Sequence, residues 1–230
     1  MRRMLLCLGI VPLALTLAAC SPAPEPEPAA APVAEPEGPT RDIVNITGDL
    51  YRAQNNNHYT VFLVTDEGII MSDPINRDFA TWLRGEMETR FDQPVRYVLY
   101  SHSDFDHASG GEVFADTAEF VGHEQMLEAL AEPGDMALPG AVADQDANGN
   151  GEIEMAEATG NLQNNFALFD ANGDGMLSGG EIARGPVSDV YAPTQTYTGR
   201  HTVELGGKTV EMIHPGPAHS ANMSVIHFPE

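Results

Sequence analysis

Ser101-His102-Ser103-Asp104-Phe105-Asp106-His107 sets two imidazoles and two carboxylates within six residues, directly behind the apolar run 95–100. An apolar run that ends in such a cluster reads as a strand delivering ligands to a sheet edge. Imidazole and carboxylate together suit Zn²⁺ or iron, and the ion itself neutralises the charge that the carboxylates gather. Upstream, residues 59–65 and 69–72 alternate or run apolar on either side of Asp66-Glu67-Gly68, a hairpin signal. Asp73-Pro74 stops the second of these strands. Residues 77–91 then carry Phe79, Trp82, Leu83, Glu86 and Met87 at helical spacing, which predicts a helix before the strand at 95–100.

A strand, helix, strand unit ending in these ligands resembles the metallo-β-lactamase-fold hydrolase superfamily. On that resemblance His102, Asp106 and His107 match a His-x-His-x-Asp-His motif. Asp73 matches an acidic residue closing an earlier strand, with a structural role, and His219 in Gly216-Pro217-Ala218-His219-Ser220 matches a later ligand. The likeness covers most of 42–129 and 191–230. It implies an α/β fold, an αβ/βα sandwich whose two sheets bury each other's apolar faces. It further implies that His102, Asp104 and His219 hold one metal, while Asp106 and His107 hold or orient a second metal and the nucleophilic water, with Asp106 as the catalytic residue.

Two features depart from the family pattern. Asp104 stands where the family usually has its second His, and a carboxylate is a harder ligand that shifts preference from Zn toward Fe or Mn. The di-iron members are similar in this respect. The sequence also stops at His227-Phe228-Pro229-Glu230, before the place where the resemblance puts a bridging Asp and a final His. The domain at 41–230 is therefore expected to be truncated at its C-terminus and to leave an apolar sheet face exposed. The implied activity is metal-dependent hydrolysis of an ester, lactone, amide or related small substrate. Two competing readings are a calcium-binding lipoprotein without catalysis and a di-iron redox protein of the same fold.

A second pattern lies between the metal motifs. Asp146, Asn148, Asn150, Glu152, Glu154 and Glu157 occupy positions 1, 3, 5, 7, 9 and 12 of a loop with Gly151 at 6 and Ile153 at 8. Asp170, Asn172, Asp174, Met176, Ser178 and Glu181 repeat it, with Gly175 and Leu177 at 6 and 8. These are the EF-hand requirements: a sharp turn at 6, a backbone carbonyl at 7, a bidentate carboxylate at 12 and Ca²⁺ at the centre. The loops start 24 residues apart, which leaves room for one helical stretch around 162–169 and looks more like dockerin-style repeats than ordinary paired EF-hands. At positions 3 and 5 the second loop has Asn and Asp against two Asn in the first, and on that comparison the second site should bind more tightly. From His107 to His219 the chain runs 112 residues, and removing 133–187 leaves an ordinary span between ligands. The pair is read as a small helical insertion whose role is structural, tying down a loop near the site, or regulatory, the structural role being favoured.

The N-terminus carries Arg2-Arg3, an apolar stretch 4–17 and Leu17-Ala18-Ala19-Cys20. That h-region falls short of the ~20 apolar residues a span needs. It is similar to a bacterial lipoprotein signal peptide, 1–19, with Cys20 lipidated after cleavage. Ser21 behind it favours the outer membrane, so the protein is placed in the bacterial cell envelope, anchored by lipid and facing the periplasm. Residues 20–40 are rich in Pro, Ala and Glu and read as an extended tether. With Cys7 lost and Cys20 acylated, no disulfide forms. Thirty-four Asp and Glu against eleven Lys and Arg, a net charge of −23, argue against nucleic acid and against direct docking on anionic lipid. The partners expected are a small-molecule substrate and, through Cys20, a membrane. His58, His123, His201, His214 and His227 stand alone or on strand faces, where surface or satisfied core placement is the expectation.

Overall fold

The computed structural model describes residues 38–131 and 133–229. Strands β1 (Arg41–Thr47), β2 (Leu50–Asn55), β3 (His58–Thr65) and β4 (Gly68–Ser72) form an antiparallel meander. Helix α1 (Arg77–Phe91) then leads to β5 (Val95–Leu99), helix α2 (Phe105–Ala108), β6 (Glu119–His123) and α3 (Gln125–Leu130). Short elements follow: β7 (Ile153–Glu154), α4 (Gly160–Asn164), α5 (Phe166–Phe169), β8 (Met176–Leu177) and α6 (Gly179–Arg184). The chain closes with β9 (Gln195–Tyr197), β10 (Arg200–Leu205), β11 (Lys208–Ile213) and β12 (Val225–His227). One sheet has the order β1-β2-β3-β4-β5-β6-β9, with β4, β5, β6 and β9 parallel. A second, antiparallel sheet has the order β10-β11-β12.

Period-two alternation sorts the large sheet's side chains to two faces. Phe62, Ile69, Met71, Val98 and Phe120 point to one face and pack with Phe79, Ala80, Leu83 and Met87 of α1. Asn76 caps that helix, its side chain accepting from the Phe79 N–H at 2.9 Å, and Asp92 ends it in the left-handed conformation. Each buried apolar side chain is worth about 1.5–3 kcal/mol. The exposed pairs Arg84–Glu88 and Arg90–Glu86 are worth a few tenths each. Packing therefore seats α1. Leu63, Ile70, Leu99 and Val121 point to the opposite face and meet Val203, Val210 and Met212 of the small sheet. The expected open apolar face is corrected in part: β10 and β11 cover Leu63, Ile70, Leu99 and Val121. Val44 and Ile46 on β1 and Val225 on β12 remain exposed.

Residues 133–187 have a small core of their own, Ile153, Ala158, Leu162, Phe166, Phe169 and Leu177. Ile153 pairs with Leu177 and Glu154 with Met176 across the β7–β8 ladder, so position 8 of one loop faces position 8 of the other. Asp146 accepts from the N–H groups of Gly149, Asn150 and Gly151, and Asp170 from those of Gly173, Asp174 and Gly175. Glu157 accepts from Ala147, Asn148 and Glu154, while Glu181 is 1% exposed and its Oε1 lacks a partner. The single helical stretch expected at 162–169 is two short helices instead. Asn165 leaves the helical region (φ −121°, ψ 19°), and its side-chain amide bonds the Asn161 carbonyl, competing with the backbone ladder.

Candidate metal centre

The ligand segment leaves the carboxyl end of β5, where the parallel strands of an open α/β sheet present their sites. Tyr100, fully buried, anchors its start by donating from Oη to the Tyr191 carbonyl at 2.7 Å. Its far end is fixed by α2. Ile75 donates its N–H to the His107 carbonyl at 2.8 Å and holds φ at 71°, a costly conformation for a β-branched residue, here buried to 2% exposure. Gly110 follows at φ 81°, where a Cβ would run into the backbone of Asn76 and Arg77. The ligand turn is thus wedged against the N-terminus of α1.

His102, Asp104 and His219 each offer one ligand atom, and these atoms lie within 4.8 Å of one another. Asp104 Oδ2 is 3.1 Å from His219 Nε2 and 3.5 Å from His102 Nε2. The 3.5 Å pair is charge proximity without hydrogen-bond geometry, so His102 Nε2 is a buried atom with no hydrogen-bond partner. The tautomer follows from its neighbours. Ser101 N–H donates to Asp73 Oδ1 at 2.8 Å and Ser101 Oγ–H to Asp73 Oδ2 at 2.5 Å. Having spent its hydrogen, Ser101 Oγ can only accept from His102 Nδ1–H at 2.8 Å. His102 Nε2 therefore carries a lone pair aimed at Asp104 and His219, which is the protonation state that a metal ligand requires. Burial lowers the His102 pKa, assisted by the neighbouring His107.

His107 is oriented the same way, with Nδ1 on Asp73 Oδ2 at 3.2 Å, and that bond raises its pKa. Its ring lies 4.4 Å from the His102 ring. Asp106 turns elsewhere, with Oδ2 at 3.3 Å from His58 Nε2. Neither Asp106 nor His107 joins the His102, Asp104 and His219 group. Asp73 touches none of that group's ligand atoms directly except through Ser101. The calcium-loop residues lie in 133–187 as described, and Cys20 lies outside the described residues.

Three contributors carried no signal in the sequence. His58, expected to stand alone, faces Asp106 across 48 positions. Asn222, 4% exposed, accepts from Ser103 N–H at 3.0 Å and donates to Ser103 Oγ at 2.9 Å, clamping the His219 loop to the ligand segment. Arg184 of α6 lines a cavity of about 250 Å³ with Ser103, Asp104, Asp106 and Val187. His123 stacks on His214 with ring centroids 3.8 Å apart, and its Nε2 bonds the Thr198 carbonyl, so that pair is satisfied. A larger cavity of about 360 Å³, lined by Asp49, Arg90 and Lys208, contains none of the candidate ligands.

The model of the metallo-beta-lactamase superfamily matches residues 85–230, and the chain belongs to that superfamily. Among solved structures it is similar to a metallo-beta-lactamase from Pontibacter korlensis, at 15% identity and TM-score 0.51, covering 83% of this chain and 67% of that one. It is also similar to the metallo-beta-lactamase GOB-18 from Elizabethkingia meningoseptica (14%, TM-score 0.52, 80% and 54%) and a beta-lactamase from Chitinophaga pinensis (17%, TM-score 0.50, 80% and 55%). At these identities the likeness is one of fold. The chain spans 54–67% of the length of these three structures. No curated protein matches the chain.

Proposed function

We propose that the chain is a metal-dependent hydrolase of small esters, lactones, amides or related substrates, with His102, Asp104 and His219 holding the ion. The observation that carries this reading is the buried, unpartnered lone pair of His102 Nε2 beside Asp104 and His219. Two imidazoles and a carboxylate are a donor set for Zn²⁺, with Fe or Mn also suited by the harder Asp104. An ion bound there supplies Lewis acidity and brings the ionisation of water toward neutral pH. The protein's own part is to position and to move protons. Ser101, itself held by Asp73, fixes His102 with Nε2 deprotonated, and Asp73 orients His107 through Nδ1. Asp106, half-exposed beside His58, accepts a proton from the attacking water, and His58 at 3.3 Å shares the charge.

The loops at 146–157 and 170–181 are calcium sites in this reading, supported by their residue pattern and by the backbone turns around Asp146 and Asp170. Calcium stiffens residues 133–187, which adjoin the cleft. Cleavage before Cys20 and lipidation there would tether the domain in the cell envelope, on the support of residues 1–20 alone. The described residues contain no helix long and apolar enough to cross a membrane.

The test is hydrolysis of a chromogenic ester and lactam panel by the metal-free and zinc-loaded chain. Chelation should abolish turnover and Zn²⁺ restore it. Asp106→Asn should lower kcat about 10²–10⁴-fold with metal content unchanged. Turnover that is indifferent to both manipulations would remove the reading.

A further inference from the structure

Residues 133–187 reach the cleft on both sides of Phe105. On one side Arg184, Pro186 and Val187 wall the cavity of about 250 Å³ that Ser103, Asp104 and Asp106 floor. On the other, Leu168 joins His58, Ile75, Phe105 and Asp106 around a cavity of about 180 Å³. Backbone bonds fix this wall: Val187 and Ser188 N–H groups donate to the Leu168 carbonyl at 2.9 and 3.1 Å. Gly110 N–H, just past α2, donates to the Asp189 carbonyl at 2.9 Å.

Among the described arginines Arg184 alone has buried guanidinium atoms without a hydrogen-bond partner, although Arg52 and Arg96, like it, form no ion pair with a carboxylate. Arg41, Arg77, Arg84, Arg90 and Arg200 each pair with carboxylates. Arg184 pairs with none among the described residues. Its Nη1 donates to the Ala131 carbonyl at 3.1 Å, which leaves Nε and Nη2, the other edge of the fork, buried and without an acceptor. Guanidinium cannot shed its proton, so that edge stays charged. A side-by-side pair of N–H donors is the geometry that takes a carboxylate in two parallel bonds. Asp104 and Asp106 line the same cavity, so a monoanion is repelled less there than a dianion.

We infer that Arg184 is a specificity-determining residue of the cleft and binds a carboxylate group on the substrate. The word substrate rests on the hydrolase reading; the binding does not. Leu168, Ile75 and Phe105 give the neighbouring cavity an apolar lining, so the favoured molecule joins an apolar group to its carboxylate. Phenylacetate and its neutral counterpart phenylacetamide separate the two contributions, with dissociation constants from NMR titration of the metal-free and zinc-loaded chain. Wild type should prefer phenylacetate in both forms. Arg184→Gln should raise the phenylacetate constant about tenfold or more and leave phenylacetamide unchanged. Val187→Asp, which puts a competing carboxylate in the cavity without touching Arg184, should do the same and decides the matter if Arg184→Gln does not fold. Equal loss of both probes in Arg184→Gln, or an unaltered preference in either folded variant, overturns the inference. So does a wild-type preference that appears only with zinc bound, since that places the carboxylate on the ion. A chain that binds phenylacetate through Arg184 but hydrolyses nothing would remove the hydrolase reading and leave this one standing.

Discussion

Asp73, 5% exposed, accepts from Ser101 N–H, Ser101 Oγ–H and His107 Nδ1, and through Ser101 it also fixes which nitrogen His102 offers. A carboxylate can do this because both its oxygens only accept; an amide cannot. Asp73→Asn turns one acceptor into a donor facing a donor, and should destabilise the metal-free chain by about 1.5–3 kcal/mol in urea unfolding. Loss of the orienting bonds should weaken metal binding about 10–100-fold in titration. The motif 101–107 was legible because its four candidate side chains are neighbours in sequence, two of which, His102 and Asp104, come together with His219. His58 and Asn222 were not. Their partners, Asp106 and Ser103, lie 48 and 119 positions away, and only the closing of the sheet and of the His219 loop brings them together.

At the scale of elements, local pattern carried as far as local contacts decide the structure. The β3–β4 hairpin, α1 and β5 were readable because a tight turn and a stripe of apolar residues at helical spacing both act within a few residues. The covering of the large sheet by β10 and β11 depends instead on packing between residues far apart, such as Ile70 with Val210 and Met212, and the expectation of an open face holds only at β1, where Val44 and Ile46 stay exposed. The paired loops at 146 and 170 make a sharper case. Glu181, at position 12, bonds Ser178 N–H and Oγ through Oε2, while buried Oε1 has no partner. If calcium supplies that partner, chelation should expose 133–187 to protease, and Glu181→Gln should give the same cleavage pattern in the presence of calcium. Identical digestion of the wild type with calcium and with chelator would remove calcium from the account.

For the whole molecule, composition speaks to surroundings more than to chemistry. A net charge of −23 disfavours polyanions and an anionic lipid surface, and the membrane attachment we propose runs instead through Cys20. Cys20→Ser should therefore move the protein from the membrane fraction to the soluble one; recovery in the same fraction as wild type would end the lipid-anchor reading. The site itself depends on the fold as a whole, since His102 and Asp104 leave β5 while His219 arrives from the loop between β11 and β12. Elemental analysis of the purified chain and of His102→Ala, Asp104→Ala and His219→Ala tests that assembly most directly. The wild type should hold roughly one transition-metal ion at this site. Each of the three variants should lose it, Asp104→Ala as completely as His102→Ala, while retaining the wild-type fold by circular dichroism. Wild-type metal content in Asp104→Ala or His219→Ala would contradict the centre described here.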